Sequence, residues 1–194
     1  MRRSSPTLTL VLAICTVAIV QALLWLFFHV SPWAFALTWP LDNRPLTLLT
    51  SVFAHAGPIH LLSNLLGLTL LGLLVERRTS RFRFYAFFLL TGILAGVMQV
   101  TVATIVFDQR AAVLGASGAV FGLFGYFLAG NRLTGVAAAG VSIQPRVQLL
   151  VLLVVATVLT LVTAGPKVAL IAHFTGLVIG LLAGREHLLR SSPS

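Results

Sequence analysis

Ser117, His173, His60 and Asn64 are the residues of this chain whose types could perform chemistry together. A serine hydroxyl is a weak nucleophile at neutral pH and needs a base to take its proton during attack. His173 can supply that base. Acyl transfer also needs donors for the developing oxyanion. Asn64 carries an NH2 and His60 an NH. The backbone NH of Ser117, at the start of an apolar segment, adds a third donor at the positive end of a helix. Gly115 permits the unusual backbone that a tight lead-in to that helix would need. Phe121 lies one turn after Ser117 on the same face and offers a ring for the imidazole to stack on. In soluble serine proteases a carboxylate orients the histidine. Only four carboxylates exist here, Asp42, Glu76, Asp108 and Glu186, and each lies between apolar stretches or at the end of one. A Ser-His dyad is therefore expected rather than a triad.

Other chemistries fit less well. A zinc peptidase would want His-Glu-x-x-His on a helix, whereas His55 and His60 are five apart with no glutamate between them. The single cysteine, Cys15, excludes an internal disulfide and a cysteine-based zinc site. An aspartyl protease of the membrane needs two aspartates inside it, and there are none. Gly115-Ala116-Ser117-Gly118-Ala119 has alanine where the hydrolase elbow has its last glycine. No metal and no cofactor is expected.

The elements that must position these residues follow from composition. The chain has 194 residues, 58% of them apolar and 9% charged, against about a quarter charged in a soluble domain. A mean hydropathy of +1.03 and a net charge of +9 describe a polytopic membrane protein with basic loops, not a nucleic-acid binder. About 20 apolar residues cross the hydrocarbon as a helix, and uncharged runs predict six, at about 8–30, 59–75, 84–107, 117–130, 147–163 and 168–183. They make one all-α bundle over 1–194 with no soluble domain. Arg2 and Arg3 before the first run resemble a secretory signal, but the run is too long and lacks a small-residue cleavage site, so a retained helix is expected. Arg2, Arg3, Arg77, Arg78, Arg81, Arg83, Arg132, Arg146, Arg185 and Arg190 fall on one side, and Arg44, Arg110 and Lys167 on the other. That bias puts both termini in the cytoplasm, as an even number of spans requires.

With this orientation the second, fourth and sixth helices run inward, and their first turns carry His60 and Asn64, Ser117, and His173 at similar depth. His60, Asn64 and Gly67 share a face, as do His173, Gly176, Gly180 and Gly184, while Gly118, Gly122 and Gly125 form a row on the fourth helix. Small-residue stripes serve packing alone in many membrane proteins, and a membrane serine usually bonds a backbone carbonyl. A histidine among glycines and leucines still needs a partner. Polar groups from three segments at one level point to a site, with two glycine-faced helices bringing Ser117 within reach of His173.

These residues resemble the rhomboid family of intramembrane serine proteases over about Val52 to Gly184. Gly115-Ala116-Ser117-Gly118 is similar to the family's G-x-S-G motif. Ala172-His173-Phe174-Thr175-Gly176, with Gly180, resembles A-H-x-x-G-x-x-x-G of the last helix. His55, His60 and Asn64 resemble the oxyanion segment, and Gly72 to Arg77 the end of the second helix. The resemblance implies Ser117 as nucleophile, His173 as general base, and His60 and Asn64 as oxyanion donors. Where relatives often carry Tyr, Phe121 keeps the stacking surface without the hydroxyl. Trp33, Trp39 and Pro40 precede Asp42 and Arg44 without the Trp-Arg pair typical of the family's first outer loop, though tryptophans suit an interfacial position.

The resemblance further implies cleavage of other proteins' transmembrane segments, usually single-pass, in a cavity open to the extracytoplasmic side; the compact length and the single lysine, Lys167, point to a bacterial cell membrane. The Val147 to Val155 stretch has no glycine to lock it to a neighbour, which makes the fifth helix the expected gate. Two other classes compete. An inert relative would bind membrane helices as a chaperone or adaptor, but such relatives generally lose the serine or the histidine. A transporter would want a carboxylate inside the bundle.

Overall fold

The computed structural model describes residues 4–130, 145–162 and 169–190. Arg2, Arg3, Arg132 and Lys167, which enter the charge count, lie outside them. So do the expected helix ends at Thr163 and Val168.

The first helix, α1, is Pro6–Phe28. Ser5 caps it by accepting from the Leu8 N–H, and Pro6 takes the first turn, where a missing N–H costs nothing. Glu76 reaches across to the same end. Its Oε2 accepts from Ser5 Oγ at 2.8 Å and from the Thr7 N–H at 2.9 Å, placing an anion at the positive pole of the helix. The helix stops at Phe28, earlier than the apolar run, because His29 turns left-handed with φ 52°. A single 3-10 turn follows at Pro32–Phe35.

Two features lie outside the six expected helices, and one of them is not helical. Leu37–Thr38 (β1) pairs antiparallel with Ala112–Val113 (β2), Leu37 opposite Val113. A short helix, α2, covers Thr47–Phe53. Segments of two and seven residues cannot show in a search for spans, yet they give backbone groups of the connecting loops their partners.

Next come α3 (Pro58–Glu76), α4 (Arg81–Ile105, capped by Ser80), α5 (Ser117–Gly130), α6 (Pro145–Val162) and α7 (Leu170–Arg185). Among the described residues α1, α3 and α4 are long and apolar enough to cross a membrane, and α5 and α7 are shorter apolar helices. The outward faces are apolar too, as on α3, where Leu62, Leu66, Leu70 and Leu74 are exposed at every fourth position. A soluble helix reverses that pattern.

The centre is the α5–α7 pair, flanked by α3 and α4. A Cβ on Gly176 would sit on the Gly118 carbonyl oxygen, and one on Gly180 on that of Gly122. The two backbones are thus in direct contact, with Leu123, Leu177 and Leu181 buried around the crossing. Substituting Gly176 by Ala is expected to destabilise the purified protein by about 1–3 kcal/mol or more, read as a lower unfolding midpoint. Gly57→Ala, where an added Cβ meets nothing within 4 Å, should leave the midpoint nearly unchanged.

Candidate active site

The His55–Asn64 segment is held from three directions. The His55 N–H donates to Gln21 Oε1 of α1 at 3.0 Å, and Gln21 Nε2 returns a bond to the His55 carbonyl at 3.4 Å. The His55 ring bonds the Phe53 carbonyl through Nδ1 at 3.0 Å and meets the His60 ring edge-on, centroids 5.1 Å apart. His60 Nδ1 accepts a long bond of 3.5 Å from the Ala56 N–H. In that arrangement the ring proton sits on Nε2 and is available as a donor.

His60 Nε2 lies against Gly115, where an added Cβ would approach it to 2.8 Å and Cε1 to 2.6 Å. Gly115 also has φ +123°, a left-handed conformation that a side chain would strain. Its N–H donates to the Ser51 carbonyl at 2.8 Å, so α2 fixes the lead-in to α5. His60 is thereby packed two residues from Ser117, the first residue of α5. Asn64, 4% exposed, donates through Nδ2 to the His60 carbonyl at 2.8 Å, which ties one amide hydrogen to its own helix. The other hydrogen of the NH2 remains for a ligand.

On the other side, the His173 ring stacks on Phe121 with centroids 4.2 Å apart and planes 18° from parallel. Phe121 follows Ser117 by one turn of α5. Gly118 and Gly176, one residue and one turn from the two polar side chains, meet at the backbone crossing. His173 Nδ1 is buried and without a hydrogen-bond partner among the described residues. No carboxylate therefore orients this ring, and the aromatic face does so instead. No Ser117–His173 hydrogen bond is formed among the described residues.

The first turn of α7 has a further hold, since the Ala172 N–H donates to Gln99 Oε1 of α4 at 3.2 Å. Gln21 and Gln99 escaped the sequence reading. Each is a lone amide in an apolar helix, the same signal that marked Asn64, but neither belongs to a spaced motif.

Helices of this length and apolarity, folded around a site of buried polar groups, define a polytopic membrane protein. Residues 42–188 match the rhomboid domain family, and the chain belongs to that family. It is similar to rhomboid-like protein 11 of the Arabidopsis thaliana chloroplast, 42% identical over 76 residues, 39% of this chain and 26% of that protein. A Bacillus subtilis (strain 168) protein named as a candidate rhomboid protease is 30% identical over 136 residues, 65% of this chain and 63% of that one. Rhomboid-like protein 5 of Arabidopsis thaliana is 31% identical over 144 residues, 74% of this chain and 44% of that protein. The chain thus spans less than two thirds of the length of each of these relatives.

His55 lies in the loop before α3, where burial first, and then the charge of His60, push its pKa from 6.5 to about 4, against the bond to Phe53. In the unfolded chain it titrates near the ordinary value. As pH falls from 6.5 towards 4 the unfolded state gains a proton that the folded state refuses. Stability is then complete above pH 6.5 and declines below it, by on the order of 1–3 kcal/mol from this group. Unfolding midpoints at pH 7.5 and 5 should differ less in His55→Gln than in the wild type, and equal differences would refute the assignment.

Proposed function

We propose that this chain is an intramembrane serine endopeptidase that cuts peptide bonds in or near the transmembrane segments of other membrane proteins. The observation that carries the reading is the His173 ring stacked on Phe121, one turn from Ser117 across a glycine-to-backbone helix crossing. Family membership supports it.

In the proposed reaction Ser117 Oγ attacks the scissile carbonyl as His173 Nε2 takes its proton. The oxyanion is met by the Ser117 backbone NH, by His60 Nε2–H and by the free hydrogen of Asn64 Nδ2. Collapse expels the amine, which receives the proton held on His173. Water, deprotonated by the same imidazole, then releases the acyl group and restores Ser117. Gly115 and Gly118 let the two rings close on Ser117, His55 backs His60, and Gly176 sets the distance between helices. The reading uses no metal and no cofactor.

The same proposal covers the topology. Six helices cross the bilayer, α2 not among them, with both termini cytoplasmic and the site opening to the extracytoplasmic side of a bacterial cell membrane. Single-pass proteins are the substrates. A helical bond is hidden by its own hydrogen bonds, so the substrate must unwind locally before Ser117 can reach it.

Reconstituted protein and a reporter transmembrane substrate test this reading. Ser117→Ala and His173→Ala are each expected to reduce cleavage by about 1,000-fold or more. Phe121→Ala should cost about ten- to a hundredfold, chiefly in kcat, with Phe121→Tyr close to wild type. A fluorophosphonate should label Ser117. Undiminished cleavage by either alanine variant of the dyad would overturn the mechanism, and a substrate held but never cut by the wild type would favour a helix-binding adaptor.

A further inference from the structure

Three consecutive N–H groups in the loop between α2 and α3 each go to a different helix. Ala54 donates to the Thr50 carbonyl of α2 at 3.0 Å, His55 to Gln21 Oε1 of α1 at 3.0 Å, and Ala56 to His60 Nδ1 of α3 at 3.5 Å. The His55 carbonyl accepts from the other half of the same amide, Gln21 Nε2, at 3.4 Å. Gln21 is 5% exposed, and burying an amide in an apolar helix is costly unless its polar ends are bonded. Both ends go to this one residue. Val17, one turn earlier, packs against the cluster of Ala36, Ala54 and Leu114, which seats α1 beside the loop.

The His55 carbonyl and the Ala56 N–H belong to one peptide unit. A trans unit is planar, and its C=O and N–H point in opposite directions. Holding the carbonyl on one side therefore aims the N–H on the other, and its target is His60 Nδ1. Hydrogen bonds in series through one amide plane also polarise each other in the same sense. At 3.5 Å the last bond has little reach to spare, so a small rotation of the plane breaks it. Nδ1 can accept only while the ring proton is on Nε2. A ring protonated on Nδ1 would set hydrogen against hydrogen at Ala56 and turn a bare lone pair towards Gly115, against which Nε2 is packed. Such a lone pair would repel an oxyanion.

We propose that Gln21 is a positioning residue for the oxyanion site: through the His55–Ala56 peptide plane it fixes the His60 tautomer that carries its proton on Nε2. The role rests on the reading of His60 as an oxyanion donor. Gln21 acts through His60 and not on the substrate. The helix α1 supplies none of Ser117, His60, Asn64 and His173, and this amide is how it enters the chemistry. The paired bonds also fix which way the amide faces, because turning it over would set Nε2–H against the His55 N–H and Oε1 against the His55 carbonyl. An anchor for the loop alone would hold the backbone in place and leave the ring free to exchange tautomers. An anchor that sets the tautomer has a signature on the ring itself.

Nitrogen NMR spectra of the histidine rings in the intact protein at neutral pH test it, with the His60 signals assigned by their loss in His60→Ala. Wild-type His60 should show a protonated Nε2 and a bare Nδ1. Gln21→Met keeps the length and the packing without the bonds, and should give a mixture of the two tautomers. Gln99→Met, which removes the amide bonded to α7, should not. Should Gln21→Met not fold, Gln21→Asn withdraws the amide by one methylene and should give the same mixture. On a reporter transmembrane substrate, Gln21→Met should lower kcat by about tenfold, less than the loss of a donor outright, with KM within about twofold. Added to His60→Ala, the same substitution should cost less than about twofold, since the group it acts through is gone. A His60 ring wholly protonated on Nε2 in a folded Gln21 variant, the same mixture in Gln99→Met, or losses that multiply in the double variant would overturn the proposal. A wild type that cuts nothing would overturn the protease reading, and the ring spectra would still decide whether Gln21 sets the tautomer.

Discussion

The contact on which the rest of this structure depends is backbone against backbone, where α5 crosses α7. Gly176 and Gly180 leave no room for a Cβ above the carbonyls of Gly118 and Gly122. Inside a bilayer there is little hydrophobic gain from pressing two apolar helices together, because lipid tails are as apolar as leucine. Close approach substitutes for it through dispersion between many atom pairs. Here it also has a geometric consequence. Side chains one turn from the crossing, Phe121 on α5 and His173 on α7, are forced to share the space beside it, and they stack.

A tight crossing fixes the distance between two helices but leaves their rotation and the neighbouring loops to other contacts. Two amides supply them. Gln99 holds the first turn of α7 to α4, and Gln21 holds the backbone of His55 to α1 with bonds in both directions. Amides are suited to this because each can both donate and accept without carrying a charge into the bundle. The short α2 does the same for the start of α5 through Ser51 and Gly115. Ser117 and His173 thus each have a chain neighbour, Gly115 and Ala172, that bonds a distant segment.

How much of this was legible in the sequence depends on range. The glycine rows could be read because helical period turns spacing of three and four into a face, and a glycine face in an apolar helix can only serve close packing. Ser117, His173, His60 and Asn64 stood out because polar groups in apolar runs are costly. Gln21 carried the same signal, but its partner His55 is 34 positions away, and no local period connects them. Strands of two residues and a helix of seven lack the length for any period to emerge. Nor could Glu76 be recognised as the anchor of α1 from its position, which only marked the end of a helix. Its role needs Ser5, 71 positions earlier.

The scarcity of carboxylates has a physical logic at the site. An ionised aspartate beside His173 would stabilise an imidazolium, but removing that charge from water costs several kcal/mol in a lipid-surrounded core. An aromatic face carries no such cost. Phe121 restricts the tilt of the imidazole by contact, and its negative π-face still favours a cation above it. What the ring cannot do is fix the imidazole's rotation in its own plane, which a bond to Nδ1 would do, and Nδ1 is without a partner among the described residues. The remaining constraint on that rotation is the wall of α5 itself, pressed against α7 at Gly118. Orientation of the histidine is thus delegated from electrostatics to packing, and the glycine crossing that opened the space for the stack is also what keeps it closed.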